Sequence, residues 1–374
     1  MFEFTKKTLL FLCPLLVCLG LPFYILWKSK ENYHTIDSIV TKKEKYLVGY
    51  AFNEQNYNFL KWTYLNSNEN KTIWALGSSR VLPFRKNMFD VSFYNAGYTI
   101  TSINDFKPFL QSLPKEKLPK YLILGLDQWM FNASFDALDK TPKVTSWQNS
   151  FTAIPKIFPT FQTVYEDLYH KKYHLSNLKE DNFICKIGLN AVINNTGFVN
   201  DGSMYYGGQI TKLINNDTTA IDYQYSNTLD RIKQGNRRFQ YGKSVNEIAL
   251  IKLNEFLKYC KVNQINVIAF LPPFADKVYN TMNESNNYAY LKEIYTKIKP
   301  TFDSYNYEIY DFSSVTSCNS NDNETIDGFH GGEVTYQKML IIMLEKSSVL
   351  NKVTNIQKLK TDLINKKNNY VIYE

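Results

Sequence analysis

The residues of this chain best suited to covalent chemistry are a serine after an apolar run and an acid–histidine pair far from it in sequence. Ser79 lies in the stretch Gly77–Arg80, and Asp327 and His330 lie three residues apart. A hydroxyl is a poor nucleophile at neutral pH, so it needs an imidazole to accept its proton and an acid to fix the imidazole tautomer. These three side chains could form such a triad. The alternative for Asp327 and His330 is a polar turn in which local hydrogen bonds satisfy the histidine.

Short apolar runs bounded by turn residues indicate the elements that would position these side chains. Each run suits a buried parallel strand, and helical stretches, one of them starting at the capping box Ser244–Glu247, separate the runs. This alternation predicts an α/β fold with a doubly wound parallel sheet and helices on both faces. The predicted strands are Thr72–Leu76, Ser92–Tyr94, Tyr121–Leu124, Ile265–Leu271 and Glu308–Tyr310.

Each of the first three predicted strands is followed by a residue that could take part in catalysis. Ser79 follows the first strand, Gly97 the second and Asp127 the third. Ligands bind beyond the carboxyl ends of the strands in open parallel sheets, so these residues are expected to converge on one crevice.

A long segment between the third and fourth strands indicates an insertion. Residues 131–243 are too many for an ordinary connection, and their glycine- and tyrosine-rich stretch Gly197–Gly208 is either a substrate-facing loop or a structured turn. The helical spacing in Leu350–Ile364 predicts a C-terminal segment that packs on the domain. The predicted organisation is a membrane anchor at 1–30, a stalk and packing helix at 31–70, a main domain at 71–130 and 244–346, an inserted cap at 131–243 and a tail at 347–374.

The N-terminus and the overall charge indicate a membrane setting. The stretch Thr8–Trp27 carries no charge and has the roughly 20 residues that a helix needs to cross a bilayer. No small-residue cleavage site follows it, which favours an uncleaved anchor over a cleaved signal peptide. The domain after this anchor is expected to lie outside the cytoplasm. The net charge of +8 favours anionic neighbours such as lipid headgroups or acidic cell-wall polymers, whereas an anchor argues against nucleic acid.

Metal and disulfide chemistry have little support in the sequence. The five cysteines and four histidines form no zinc-type cluster and no paired spacing. The acidic stretch Asn319–Asp327 lacks the glycine that a calcium loop requires at its sixth position. No metal and no cofactor are therefore expected.

The order of four short motifs resembles the four blocks of the SGNH hydrolases. GSS, NAG, GLD and D-x-x-H follow one another within Lys71–Lys346. The resemblance implies a three-layer flavodoxin-like sheet, with Ser79 as nucleophile, His330 as base and Asp327 as acid. It also implies that the backbone N–H groups of Ser79 and Gly97 donate to the oxyanion.

The third block departs from the family pattern. Asp127 stands where the family has an asparagine whose side chain donates to the oxyanion, and an ionised carboxylate cannot donate. Removing such a donor typically costs about a hundredfold to a thousandfold in rate. Three arrangements would reconcile the difference: Asp127 pairs with Arg80, Asp127 is protonated, or the oxyanion hole uses only the N–H groups of Ser79 and Gly97.

GSSR with an acidic third block is similar to membrane-anchored SGNH-type proteins of bacterial cell envelopes, including those of teichoic acid alanylation and exopolysaccharide acetylation. The resemblance implies an extracytoplasmic serine esterase or O-acyltransferase. Its expected substrate is a cell-envelope glycan or teichoic-type polymer, and its expected partner is a membrane-bound acyltransferase. The alternative is a catalytically silent protein of this fold that binds glycan or serves as a scaffold, with Asp127 as the sign of lost catalysis.

Overall fold

The computed structural model describes residues 2–31, 35–135, 138, 157–178 and 183–374. These residues form eleven strands and thirteen α-helices. The strands are β1 (Tyr46–Val48), β2 (Ile73–Leu76), β3 (Phe93–Asn95), β4 (Tyr121–Gly125), β5 (Cys185–Ile187), β6 (Gly197–Val199), β7 (Met204–Tyr205), β8 (Asn266–Leu271), β9 (Glu308–Asp311), β10 (Thr325–Asp327) and β11 (His330–Gly331). The helices are α1 (Phe2–Lys28), α2 (Ile36–Val40), α3 (Tyr57–Ser67), α4 (Phe106–Gln111), α5 (Ile157–Tyr169), α6 (Leu189–Asn194), α7 (Gly208–Ile214), α8 (Ser226–Gln234), α9 (Glu247–Val262), α10 (Asp276–Glu284), α11 (Leu291–Ser304), α12 (Glu333–Glu345) and α13 (Ile356–Ile364).

The central sheet has five strands in the order β3-β2-β4-β8-β9, and all neighbouring pairs are parallel. Numbered along the chain within this sheet, the order is 2-1-3-4-5, as in flavodoxin-like sheets. The predicted α/β class with a parallel sheet is confirmed. The winding reverses between β2 and β4, and ligands of open α/β sheets usually bind beyond the carboxyl ends of the strands at such a reversal.

Helices cover both faces of this sheet because its strands are apolar on both sides. All four residues of β2 are buried and alternate between two hydrophobic cores. Trp74 and Leu76 pack with α4, α9 and α11, whereas Ile73 and Ala75 pack with α12 and α13. The result is a three-layer arrangement that fixes the strand ends at which the candidate site residues lie.

A second, four-stranded sheet joins the segment before the main domain to the insertion. Its order is β5-β1-β6-β7, with β1 parallel to β5 and antiparallel to β6. Helix α2 buries Ile36, Ile39 and Val40 beside this sheet. In the segment 31–70, predicted as a stalk and packing helix, the described residues from 35 onward are folded, because their apolar side chains pack against strands contributed by residues more than a hundred positions away.

The stretch Gly197–Gly208 forms the β6–β7 hairpin and is a structured turn. Its Asp201 carboxylate accepts hydrogen bonds from Ser203 N (2.9 Å) and Lys86 N (2.9 Å). The fully buried Lys61 ammonium donates to the carbonyl oxygens of Gly202 and Asn95, which ties the hairpin turn to the end of β3. Burial lowers the pKa of Lys61 well below its usual value.

The N-terminal helix is bent. No single helix among the described residues is both long and apolar enough to cross a membrane, but the pair Glu3–Pro14 and Cys18–Lys28, bent by 59°, passes together by length and composition. The C-terminal half of α1 packs on α5, with the Phe23 and Phe161 rings 6.1 Å apart edge to face. The assignment of Thr8–Trp27 to a membrane anchor therefore stays a prediction.

The C-terminal tail packs on the main domain around a buried ion-pair network. Leu350 and Leu359 are fully buried beside α12. Arg85, only 2% exposed, lies 2.5 Å from a Glu333 oxygen and 3.3 Å from a Glu374 oxygen. The other Glu333 oxygen accepts hydrogen bonds from two backbone N–H groups in the last three residues of the tail.

We expect Arg85→Met to lower the free energy of unfolding by about 3–5 kcal/mol, because it leaves buried carboxylates without their cation. Urea unfolding followed by circular dichroism measures this change. Lys86→Met is the matched control: Lys86 is adjacent and exposed, so its replacement should change the unfolding free energy by less than about 0.5 kcal/mol. Equal small losses in the two variants would show that the network does not hold the tail.

Candidate active site

Ser79 lies at the sharp exit from β2. The chain turns through Gly77 and Ser78 into a 3₁₀ turn over Ser79–Val81, and the Ser78 hydroxyl accepts a hydrogen bond from Arg80 N at 3.2 Å. A Cβ atom at Gly77 would lie 2.9 Å from Val81 Cγ1 and 3.1 Å from the Gly125 carbonyl oxygen, so the close approach of β2 and β4 requires glycine here. The N–H of Ser79 begins the turn and therefore has no partner within it.

Asp327 and His330 face each other across the β10–β11 turn. One carboxylate oxygen, Asp327 Oδ1, accepts hydrogen bonds from Phe329 N at 2.9 Å and His330 N at 2.8 Å. The other, Oδ2, lies 2.7 Å from His330 Nδ1. The polar turn proposed as an alternative is therefore present, and its carboxylate also orients the imidazole.

The imidazole links this turn to the serine. His330 Nε2 lies 2.8 Å from Ser79 Oγ, although the two residues are 251 positions apart in the chain. Burial alone would raise the pKa of Asp327, but the charge of His330 and the hydrogen bonds from the turn outweigh it, and the pKa falls below its usual value. The structure thus brings together the three side chains predicted to form a triad, with the acid in its ionised form.

Arg80 fixes the surroundings of the triad. It is fully buried, and its Nε, Nη1 and Nη2 atoms donate to Phe329 O, Gln128 Oε1 and Pro272 O, each at 2.8 Å. One side chain thereby connects the β10–β11 turn to the ends of β4 and β8. Its distance from Asp127 Oδ1 is 3.5 Å, so any ion pair with Asp127 is secondary to these three hydrogen bonds.

Asp127 is buried without hydrogen bonds. Its side chain is 1% exposed, and neither carboxyl oxygen has a hydrogen-bond partner within the described ranges. Burial raises the pKa of Asp127, whereas the positive charge of Arg80 and the nearby Ser78 hydroxyl oppose this effect, and the pKa stays above its usual value. Of the three arrangements predicted for Asp127, the pairing with Arg80 is present as a loose contact at 3.5 Å, and the raised pKa of Asp127 agrees in direction with the protonated form.

The Gly97 N–H, which was expected to donate to the oxyanion, already donates to a side chain of the protein. Its N–H donates to Asn95 Oδ1 at 2.9 Å, and the Asn95 amide nitrogen donates in turn to the Val81 and Phe84 carbonyl oxygens. An oxyanion hole made only of the Ser79 and Gly97 N–H groups is therefore not formed here, because a local side-chain bond already uses the second donor. The glycine is still required, since a Cβ atom would lie 2.6 Å from Val81 Cγ2.

Two residues of the insertion reach the site, and the sequence did not single them out. Asp222 Oδ2 accepts a hydrogen bond from Gly328 N at 3.1 Å and so supports the turn that carries the histidine. The Arg238 guanidinium carbon lies 5.1 Å from the centre of the Trp129 ring and 6.0 Å from that of Phe329. The only signal for the second residue was its place in a basic pair, Arg237–Arg238, within the inserted segment.

In the part of the chain that the structure describes, no three His, Cys, Asp or Glu side chains group into a metal site. The cysteines described there are free thiols, and burial raises the pKa of Cys260 and of Cys318.

No protein-family model matches the chain, and no curated protein gives a significant match.

Proposed function

We propose that the protein is a serine esterase or O-acyltransferase of the SGNH type that works through an acyl-serine intermediate on Ser79. The observation that carries this proposal is the hydrogen-bonded chain from Ser79 Oγ through the His330 ring to Asp327 Oδ2. It lies where the winding of the parallel sheet reverses, which is the usual ligand position in such sheets.

The first half-reaction forms the acyl-serine. Ser79 Oγ attacks the ester carbonyl carbon while its proton moves to His330 Nε2, and Asp327 stabilises the resulting imidazolium through Nδ1–H. The carbon–oxygen bond to the alcohol then breaks, and the departing alcohol takes the proton from Nε2. The second half-reaction repeats these steps with water or a sugar hydroxyl, which gives its proton to Nε2 and attacks the acyl carbon to release Ser79.

The oxyanion needs donors other than Gly97. We assign the Ser79 N–H and the protonated carboxyl of Asp127 to this role, since a neutral carboxylic acid can donate one hydrogen bond. Support comes from the raised pKa of Asp127 and from its two carboxyl oxygens, which accept no hydrogen bond of ordinary geometry from the described residues. Arg80 is assigned a supporting role, because it holds the chain segments that carry these donors.

The proposed setting follows from the N-terminus and the charge. We assign Thr8–Trp27 to a membrane anchor and the remaining domain to the outer side of the cytoplasmic membrane. The proposed substrate is an envelope glycan or teichoic-type polymer, with a membrane-bound acyltransferase as partner and no role for nucleic acid. The net charge of +8 is compatible with acidic polymers of this kind.

The second candidate is a catalytically silent binding or scaffold protein of the same fold. The occupied Gly97 amide and the carboxyl group at position 127 favour it, because both depart from a ready oxyanion hole. The two candidates differ in whether Ser79 reacts.

A fluorophosphonate probe distinguishes them. We expect it to add one phosphonyl group to Ser79 of the detergent-solubilised full chain, because the base 2.8 Å away activates that hydroxyl. Intact mass and peptide mapping measure the product, and His330→Ala should lose most of the labelling while staying folded by circular dichroism. Labelling at another residue, or none in a folded sample, would reject the acyl-serine mechanism.

A further inference from the structure

Arg238 places a positive charge near the triad, and no acidic side chain among the described residues pairs with it. It lies in the 3₁₀ turn Arg237–Phe239 of the insertion and is half-buried. Its guanidinium carbon is 5.1 Å from the centre of the Trp129 ring, and the neighbouring Phe329 ring is 4.4 Å from the His330 ring. The guanidinium is therefore separated from the catalytic base by about one aromatic side chain.

The guanidinium makes no hydrogen bond and no ion pair with any residue for which the structure gives a position. The nearby Arg80 provides the contrast, since all three of its side-chain nitrogens donate to protein oxygens. Arg238 is close enough to lower the pKa of Asp127 and of Tyr98 electrostatically, yet it forms no ion pair with either. Partial burial removes water from this charged group, and the contact with the Trp129 ring offsets part of that cost but supplies no acceptor for the guanidinium N–H groups.

Aromatic contact leaves the donors of an arginine free. A guanidinium held against an aromatic ring keeps its N–H groups at the edge of the plane, where they can form the two parallel hydrogen bonds that suit a carboxylate or phosphate. Trp129 is 2% exposed and also contacts Arg80, so it offers a rigid surface for this purpose.

We propose that Arg238 binds an anionic group, a carboxylate or a phosphate, of the ester substrate next to the bond that Ser79 attacks. This inference rests on the proposed function and narrows its substrate class to esters carried on acidic molecules. Arg238 is then a specificity residue: it positions the substrate through a remote charge and takes no part in proton transfer.

The test uses two esters that differ by one charge, 4-acetoxybenzoate and its neutral methyl ester, with the full chain in detergent. We expect Arg238→Gln to lower kcat/KM for 4-acetoxybenzoate by about 10- to 100-fold and to change that for the methyl ester by less than about threefold. Arg237→Gln is the matched control, because Arg237 is the exposed neighbour. Its kcat/KM should equal that of the wild type for both esters. An equal loss on both esters, or no loss on either, overturns the proposal.

A binding measurement separates this inference from the proposed function. Calorimetric titration of 4-acetoxybenzoate into the Ser79→Ala variant, with and without Arg238→Gln, reports the anion site without turnover. If binding to the Ser79→Ala variant depends on Arg238 and the unsubstituted chain shows no esterase activity, the anion site is retained and the esterase is rejected. Binding that is indifferent to Arg238 rejects the anion site whether or not the esterase is active. Replacing the carboxylate by a phosphate in the same ester distinguishes the two kinds of anion.

Discussion

His330→Ala should reduce the esterase kcat by about 10⁴- to 10⁶-fold. Without the imidazole, Ser79 keeps its proton and the leaving alcohol receives none, so both half-reactions lose their acid–base group. Hydrolysis of a neutral acetyl ester by the full chain measures the loss, with Ser79→Ala defining the background. The two single variants and the double variant should have about the same residual rate, because the triad acts as a unit.

Asp327→Asn offers a sharper version of the same test. The amide oxygen can still accept the Phe329 and His330 N–H groups, so the turn is expected to persist. The amide NH₂ would then face His330 Nδ1 and impose the wrong tautomer, at a cost of about 10⁴-fold in kcat.

The matched control for these histidine and aspartate variants is His170→Ala. His170 is exposed just beyond α5, and its replacement should leave the rate unchanged. A His330→Ala variant that keeps more than about a tenth of the wild-type rate above background would contradict the proposed mechanism.

Asp127→Ala should lower kcat by about 10²- to 10³-fold, whereas Asp127→Asn should retain or exceed the wild-type rate at alkaline pH. The alanine removes the proposed side-chain donor to the oxyanion, and the asparagine supplies a donor that needs no proton. A steady-state rate profile between pH 5 and pH 10 for the wild type and both variants measures the effect.

The sign of the pH dependence follows from the raised pKa of Asp127. Below that pKa the carboxyl is protonated and can donate, and above it the carboxylate repels the oxyanion, so the wild-type rate should fall as pH rises through it. Burial raises this pKa, while the charged groups that face the carboxyl, Arg80, Arg238 and His330, oppose the shift. Asp127→Asn should lack the alkaline loss. Identical profiles for the wild type and Asp127→Asn would show that protonation at this position has no part in the reaction.

The two sets of variants also distinguish the enzyme from the silent scaffold. In a scaffold protein, the Ser79, His330 and Asp127 variants would all show the same background rate as the wild type. In the enzyme, the triad variants fall to background and Asp127→Asn does not.

The sequence by itself determined the α/β class and the residue types at the strand ends. Apolar runs such as Thr72–Leu76 and Ile265–Leu271 have the length and two-sided hydrophobicity of buried parallel strands, and the structure has β2 and β8 there. The helix predicted after Ser244–Glu247 is α9, but the predicted capping box is wrong: the N-cap is Asn246, whose side chain accepts a hydrogen bond from Ile248 N at 2.9 Å. These features depend on residues close together in the chain, which is why pattern and propensity suffice to predict them.

Only the tertiary structure decided which of these residues meet and which donors are free. The 2.8 Å contact between Ser79 Oγ and His330 Nε2 depends on packing between the turn after β2 and the separate β10–β11 hairpin, which the buried Arg80 joins through its hydrogen bond to Phe329 O. Three further features depend on contacts between distant residues and cannot be predicted from periodicity. They are the hydrogen bond from Gly97 N to Asn95 Oδ1, the pairing of β1 with β5 in a second sheet, and the position of Arg238 over Trp129. Local sequence encodes hydrogen-bonding patterns and burial along a single element, whereas packing between distant elements selects the partner of each polar group.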